Sequence, residues 1–392
     1  MVENLSESEI NSLIRKIKEK TAQSPLGKIV VIDEVDHLLI IPPKPDIKKV
    51  YVELTNKCNL NCQMCIRRSW LESLEEMGYE DYLKLLDQLT ELPELKTIVF
   101  GGLGEPTIHP KFKKIVESTR SRLPEIELVM TTNGTMIDRF QDLIIDNFDY
   151  MIVSIDAVSE DVFKGIRGPQ AGKVINNLKN FAEYRNKIRK FTPWIWVEFV
   201  AMRQNIEELP KLLAIAKDLQ ISRIMISNML PYTPDMTAES LYPHADPEEI
   251  YKWIPVGPDL KNYIQINVAD TRIRTERSCA FIKNKAAVIT VNGDVTSCYN
   301  FAHTYRSYIN GHEKTVYKYS FGNIHSEKLK DIWMKEEYVR FRNKVSDFNF
   351  PSCIDCPTRE GCSYANTNEV DCYGNTPSCA ECLWSRDIVR CP

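Results

Sequence analysis

Residues 51–68 read YVELTNKCNLNCQMCIRR. The apolar run at 50–54 (VYVEL) is a strand candidate, and Cys58, Cys62 and Cys65 follow it at once. If that strand belongs to a parallel α/β sheet, its loop lies at the carboxyl edge, where such folds bind ligands. Three thiols are one short of a closed zinc site. The first histidine after them is His109, too far along to supply a fourth ligand locally. Thiolates this dense suit an iron–sulfur cluster. In a four-iron cube, three cysteines leave one iron for an outside ligand.

Working outward, further strand candidates follow at 96–102, 126–133, 150–156, 194–202 and 222–230, with a possible edge strand at 264–269. Helix-sized amphipathic segments at 76–91, 110–122, 138–146, 171–188 and 207–218 lie between them. Strand–helix alternation predicts a parallel sheet with crossover helices. About six such units fit an α/β fold built as an open, partial (β/α)6 TIM-like barrel rather than a closed eight-fold one. Residues 1–49 read as an appendage: a helix over 11–20 and two short strands in KIVVIDEVDHLLIIPP. The barrel is expected to span 50–270, and a small Cys-rich region 271–392. The latter opens with a hairpin at 286–298 turning on Asn292-Gly293, and a helix is expected over 327–344. The Pro- and Cys-rich tail has too few periodic apolar residues to fold around a core of its own, so bound metal is expected to hold it.

The chain has 392 residues, 43% hydrophobic and 27% charged, with a net charge of −4. That balance is ordinary for a globular protein and disfavours a nucleic-acid binder. No stretch is apolar enough to span a membrane, and the first residues lack a signal-peptide pattern. A cytoplasmic location is expected. Disulfides are rare there, so 12 cysteines clustered toward two regions point to metal.

GGLGEP (101–106) ends the second strand, TTNGT (131–135) the third and VSID (153–156) the fourth, with GIRG (165–168) beyond. With the Cys-x3-Cys-x2-Cys loop, these segments make the chain resemble the radical S-adenosylmethionine (SAM) family. The resemblance implies a [4Fe–4S] cluster on Cys58, Cys62 and Cys65 whose open iron binds SAM. It implies reductive cleavage of SAM to a 5′-deoxyadenosyl radical that abstracts hydrogen from a substrate. By the same resemblance, Gly102, Gly104 and Glu105 would meet the SAM ammonium, with Asn133 facing the same ligand. Ser154 would contact the ribose or carboxylate region, and Arg167 would pair with the carboxylate. The adenine side would fall near Val200 and residues 227–229. His109 is expected to pack or cap rather than catalyse.

Nine cysteines remain: Cys279, Cys298, Cys353, Cys356, Cys362, Cys372, Cys379, Cys382 and Cys391. Gly293-x4-Cys298 and Cys353-x2-Cys356-x5-Cys362 resemble the SPASM extension, which implies two auxiliary [4Fe–4S] clusters. By analogy one cluster takes Cys279 and Cys298 with Cys372 and Cys391. The second takes Cys353, Cys356 and Cys362 with Cys382, which leaves Cys379 spare. The usual cysteine four positions after Cys362 is absent; Asn366 stands there. A zinc ribbon on Cys353/Cys356 and Cys379/Cys382 is the alternative.

The tail from 371 to 392 is most similar to the radical SAM maturases of tungsten-cofactor oxidoreductases. That implies a part in preparing a tungstopterin enzyme, with ferredoxin or flavodoxin as reductant. One rival is a SPASM peptide maturase that forms thioether or carbon–carbon links or epimerises residues. Another is a non-enzymatic iron–sulfur or zinc scaffold.

Overall fold

The computed structural model describes residues 45–242, 250–254, 263–274 and 276–390, the strands at 30–34 and 37–41, and residues 6, 8, 9, 12, 13, 15 and 16. The helix expected over 11–20 and Cys391 therefore lie wholly or largely outside the described residues. β1 (Val30–Glu34) and β2 (His37–Ile41) are the two short strands expected there, and they pair antiparallel.

Strands β3 (Lys49–Val52), β4 (Thr97–Phe100), β5 (Glu127–Thr132), β6 (Tyr150–Ser154), β7 (Trp194–Ala201), β8 (Ile221–Asn228) and β9 (Gln265–Val268) lie side by side in that order, all parallel. Val50, Ile98, Leu128, Met151, Val197 and Ile224, which share one face, are fully buried, and on the other face Val99 and Ile152 are buried while Trp196 of β7 is only half-buried. Each fully buried side chain contributes roughly 1.5–3 kcal/mol. Helices Tyr79–Thr90 and Phe112–Arg122 bury Leu85, Leu86, Leu89, Ile115 and Val116 against the outer face. Among the described residues the sheet stays open, as the strand–helix count predicts.

The sheet continues past residue 270. β10 (Ala286–Ile289) pairs in parallel with β3, and β11 (Asp294–Thr296) turns back against β10 on Asn292-Gly293. β14 (Gly322–Asn323) completes a ten-stranded order β14-β11-β10-β3-β4-β5-β6-β7-β8-β9. Hairpin β12 (Tyr305–Ile309) and β13 (His312–Val316) was not expected. The helix predicted over 327–344 is two helices, Leu329–Trp333 and Glu336–Ser346, because the chain is extended at Lys335 between them. A further helix, Glu160–Arg167, precedes the one at Ala171–Lys187.

Segment 385–390 laces the C-terminal region to the barrel. Asn228 N–H donates to the Ile388 carbonyl (3.2 Å), Asp270 N–H to the Asp387 carbonyl (2.8 Å), and Arg390 N–H to Ser227 Oγ (2.9 Å).

Candidate active site

One open cavity at the carboxyl ends of the strands has about 1240 Å³ of empty space. Its wall holds Cys58, Cys62 and Cys65 together with Gly102, Gly104, Glu105, Asn133, Ser154 and Arg167. Val200 and Ser227–Met229 line it too. The C-terminal region adds Tyr299, Trp384, Val389 and Arg390. Every residue that the sequence points to for a SAM site is thus brought to one place.

The cysteine loop is held from several sides. Gln63 N–H donates to the Ile166 carbonyl (2.7 Å), and Arg67 donates to the Leu60 carbonyl (2.6 Å). Burial raises the Cys58 thiol pKa and pushes Cys62 up to about 11, the latter against the pull of Arg167. A metal held here would have to displace those protons, because the thiolate is the ligand.

Gly104 is needed for close approach, but to the protein itself. A Cβ there would fall 2.1 Å from the Thr55 carbonyl oxygen and 2.6 Å from that of Lys57. Gly102 has φ +110°, a conformation that favours glycine, and lies over the Glu53 side chain. The Glu105 carboxylate is committed to its own neighbours. It accepts from Thr107 N–H (3.1 Å), Thr107 Oγ1 (2.5 Å), Thr132 Oγ1 (2.8 Å) and Asn133 N–H (2.6 Å). Burial nonetheless raises its pKa. Glu105 therefore ties the β4 turn to the end of β5, which leaves the turn's carbonyls as the freer acceptors. Asn133 likewise turns to the cysteine loop, donating to Cys58 Sγ (3.6 Å) and Asn59 Oδ1 (2.8 Å).

Arg167 is 7% exposed and ion-paired to fully buried Asp156, with Nη1 4.0 Å from Cys62 Sγ. Burial opposes its charge, but Asp156 and Cys62 outweigh that and raise its pKa. Asp156 also accepts from Val200 N–H (2.7 Å). Ser154 stands in register with Glu198 of β7, and Glu198 lines the same cavity. Burial, then the charge of Asp156, pushes the Glu198 pKa up to about 7. Neither acid was singled out from sequence, although Asp156 closes the VSID segment.

Behind the β4 turn lies a second missed group. His303 is 2% exposed; its Nε2 meets Glu53 Oε2 (2.9 Å) and its Nδ1 meets Glu72 Oε2 (2.9 Å). Trp70 stacks on its ring at 4.2 Å. Burial disfavours the imidazolium, but the two carboxylates prevail and raise its pKa to about 9. His109, by contrast, is buried with Nε2 2.9 Å from the Met77 carbonyl and Nδ1 accepting from Lys111 N–H, a packing and capping role.

The remaining cysteines are grouped differently from the expectation. Cys279, Cys298, Cys379 and Cys382 line one enclosed cavity with Phe281, Phe341 and Trp384. Burial raises the thiol pKa of all four, to about 11 for Cys279. Cys379, expected to be spare, and Cys382, expected beside Cys353, both belong here. Cys372 instead comes near enough to Cys353 for their charges to interact. The cause is a turn built on Asp371, whose carboxylate accepts from Tyr373 N–H (2.9 Å), Asn375 N–H (3.1 Å) and Ser378 Oγ (2.7 Å). It parts Cys372 from Cys379. Cys353, Cys356 and Cys362 follow one another in short turns, as their spacing predicts. Cys353 N–H donates to the Ala380 carbonyl (3.4 Å), so the two segments of the zinc-ribbon alternative touch, while Cys379 and Cys382 turn to the cavity with Cys279 and Cys298. Among the described residues no three His, Cys, Asp or Glu side chains converge on a single-ion site.

Comparison with known proteins adds to this geometry. The model of the Radical SAM superfamily matches residues 52–216, and that of SPASM, an iron–sulfur cluster-binding domain, matches residues 279–357. The tungsten-containing aldehyde ferredoxin oxidoreductase cofactor-modifying protein of Pyrococcus furiosus is 38% identical over 354 residues, covering 88% of this chain and 97% of that protein. A PqqA peptide cyclase of Xanthomonas oryzae is 24% identical over 81% of this chain and 82% of its own length. In fold, the chain is similar to Streptococcus suis SuiB bound to S-adenosylmethionine, with a TM-score of 0.58 at 15% identity over 93% of this chain and 80% of that one. No helix among the described residues is long and apolar enough to cross a membrane.

Proposed function

The chain belongs to the radical SAM superfamily and is an enzyme with a SPASM cluster-binding domain; from that premise we propose a residue-level assignment of its sites and a role in tungsten-cofactor maturation. In this assignment Cys58, Cys62 and Cys65 hold the [4Fe–4S] cluster and leave its fourth iron for SAM. The observation that carries it is the single cavity uniting those thiols with the β4 turn, Ser154 and Arg167. When bound, the cluster supplies the electron that cleaves SAM to the 5′-deoxyadenosyl radical, which takes hydrogen from the substrate.

The residues of this chain do the holding. The carbonyls of the Gly102–Gly104 turn accept from the SAM ammonium, and Asn133 donates to the Cys58 sulfur. Arg167, fixed by Asp156 beside Cys62, would pair with the SAM carboxylate. Ser154 faces the ribose, and Val200 and Ser227–Met229 flank the adenine. Tyr299, Trp384 and Val389 form the wall on the C-terminal side.

Residues 50–270 make the radical in this reading, and 271–392 hold two auxiliary clusters. Cys279, Cys298, Cys379 and Cys382 face one void lined with apolar side chains, which fits a cluster that fills it. Cys353, Cys356, Cys362 and Cys372 form the second set. A tungstopterin oxidoreductase cofactor is the substrate class that the Pyrococcus relative supports. Ferredoxin or flavodoxin is the proposed reductant, and the cytoplasm the proposed location. A peptide substrate is the second reading, favoured by the likeness to PqqA peptide cyclase.

The test is anaerobic reconstitution followed by reaction with dithionite and SAM. Release of 5′-deoxyadenosine supports the site. Faster release on adding a tungsten-cofactor oxidoreductase, and none on adding a Cys-rich peptide, supports the first substrate class; the reverse pattern selects the second.

A further inference from the structure

The lumen of the partial barrel contains a second cavity below the first. On β8, Arg223 and Met225 line it, while Ser227, two residues further on the same face, lines the SAM cavity. Lys49 and Tyr51 of β3 line it from the other side. Trp384, Val389 and Arg390 border both cavities, so the tail divides the lumen into an upper and a lower chamber. The lower chamber has about 1800 Å³ of empty space, open to solvent.

Its charge is opposite to that of the chain. The protein carries a net −4, yet seven Lys and Arg and only two acids, Glu276 and Asp387, line this chamber among the described residues. Some of that charge is neutralised: Arg390 forks onto Asp387 (2.6 and 2.5 Å), and Arg274 pairs with Asp270. Two arginines donate to neutral oxygens instead. Arg223 holds the Gln265 side-chain carbonyl (2.6 Å) with its plane over Trp196, and Arg277 holds the Phe350 carbonyl (3.1 Å). Lys283 adds an exposed ammonium at the end of its helix. The floor is Phe281, 6% exposed, with Met225 and Trp384, while the Lys49 ammonium lies 4.6 Å over the Tyr51 ring beside them.

We infer that the lower chamber is a binding site for a small organic phosphate. The phosphate sits among Arg223, Arg277 and Lys283, and an apolar ring rests on Phe281 and Trp384. Guanidinium forks match phosphate oxygens in pairs, and a concave wall of one sign concentrates the field on an anion. The apolar floor distinguishes this from a site for a bare anion. Binding here requires neither the radical nor SAM cleavage, so it stands or falls apart from the function proposed above.

Phenyl phosphate is the probe, titrated calorimetrically into the cluster-loaded full chain under anaerobic conditions. One saturable site is expected, tighter for phenyl phosphate than for inorganic phosphate and at least about tenfold tighter than for benzoate. Arg277→Gln and Lys283→Gln are each expected to weaken it about tenfold, and added salt to weaken it further. Lys283 is exposed, so Lys283→Glu tests the site even if Arg277→Gln fails to fold. Lys330→Gln, which removes a cation paired to Glu91 outside the chamber, leaves affinity unchanged. Absence of saturable binding, equal affinity for benzoate, or full affinity in Lys283→Glu overturns the proposal.

Discussion

The cysteine loop at 58–65 and the four-cysteine cavity at 279, 298, 379 and 382 place thiols around a void in opposite ways. The loop is one continuous segment, so its spacing alone discloses a three-thiol site. The cavity gathers residues separated by as many as 103 positions, from Cys279 to Cys382, and there local spacing misled. Cys379-x2-Cys382 and Cys353-x2-Cys356 look like partners in sequence, and Cys353 N–H does reach the Ala380 carbonyl, yet Cys379 and Cys382 face Cys279 and Cys298 instead. Spacing identifies ligands when one loop supplies them all; when several segments do, the connecting turns decide.

Three experiments break or sharpen that contrast. The largest effect is expected from Cys58→Ala, Cys62→Ala and Cys65→Ala together: 5′-deoxyadenosine release falls to background while about two thirds of the iron stays, as three cubanes predict. Retained SAM cleavage in that triple variant would end the loop's assignment. Next come paired changes in the tail. Cys298→Ala and Cys379→Ala are expected to lose the same four or so irons, so the double variant loses no more than either alone. Cys298→Ala with Cys372→Ala loses about eight. Full iron content in Cys379→Ala, with only about four irons lost from the Cys298 and Cys372 double variant, would restore the grouping read from sequence.

The smallest effect concerns the joint between the two regions. The His303 pKa is raised to about 9 from an ordinary value near 6.5. A raised pKa means stability that is full below about pH 6.5 and lost as pH climbs through about 9, worth on the order of 3 kcal/mol. The thermal midpoint of the protein should fall over that window. His303→Gln should start lower and stay flat; an equal slope in the variant would exclude His303 as its source.

Much of the barrel was legible. β3 to β9 lie within two residues of their sequence positions at nearly every end, because buried parallel strands are unbroken apolar runs bounded by turns. Hairpin β12–β13 was missed although Asn310-Gly311, both at positive φ, mark its turn as clearly as Asn292-Gly293 marks the other. Helix Glu160–Arg167 was missed for a physical reason: it is eight residues long and contains Gly165. The residues around the SAM cavity were visible as strand-end motifs, but their partners were not. Glu53 and His303 meet across 250 positions, and no local pattern announces such a pair. The roles of Glu105 and Asn133 also needed coordinates, because a carboxylate that braces a turn and one that awaits a ligand look alike in sequence.

The parallel pairing of β10 with β3 has a consequence for how this protein can be taken apart. β3 is the strand whose loop carries the cluster cysteines, and β10 covers its outer edge through four residue pairs from Ala286↔Lys49 to Ile289↔Val52. A chain cut near residue 270 would keep every SAM-site residue of the barrel and still bare that edge, a row of unmet amides and carbonyls beside an apolar face. Such a fragment would be prone to stick to copies of itself. The cysteine-rich region is the missing flank of the barrel's first strand, not a detachable module, and the two must be made as one piece.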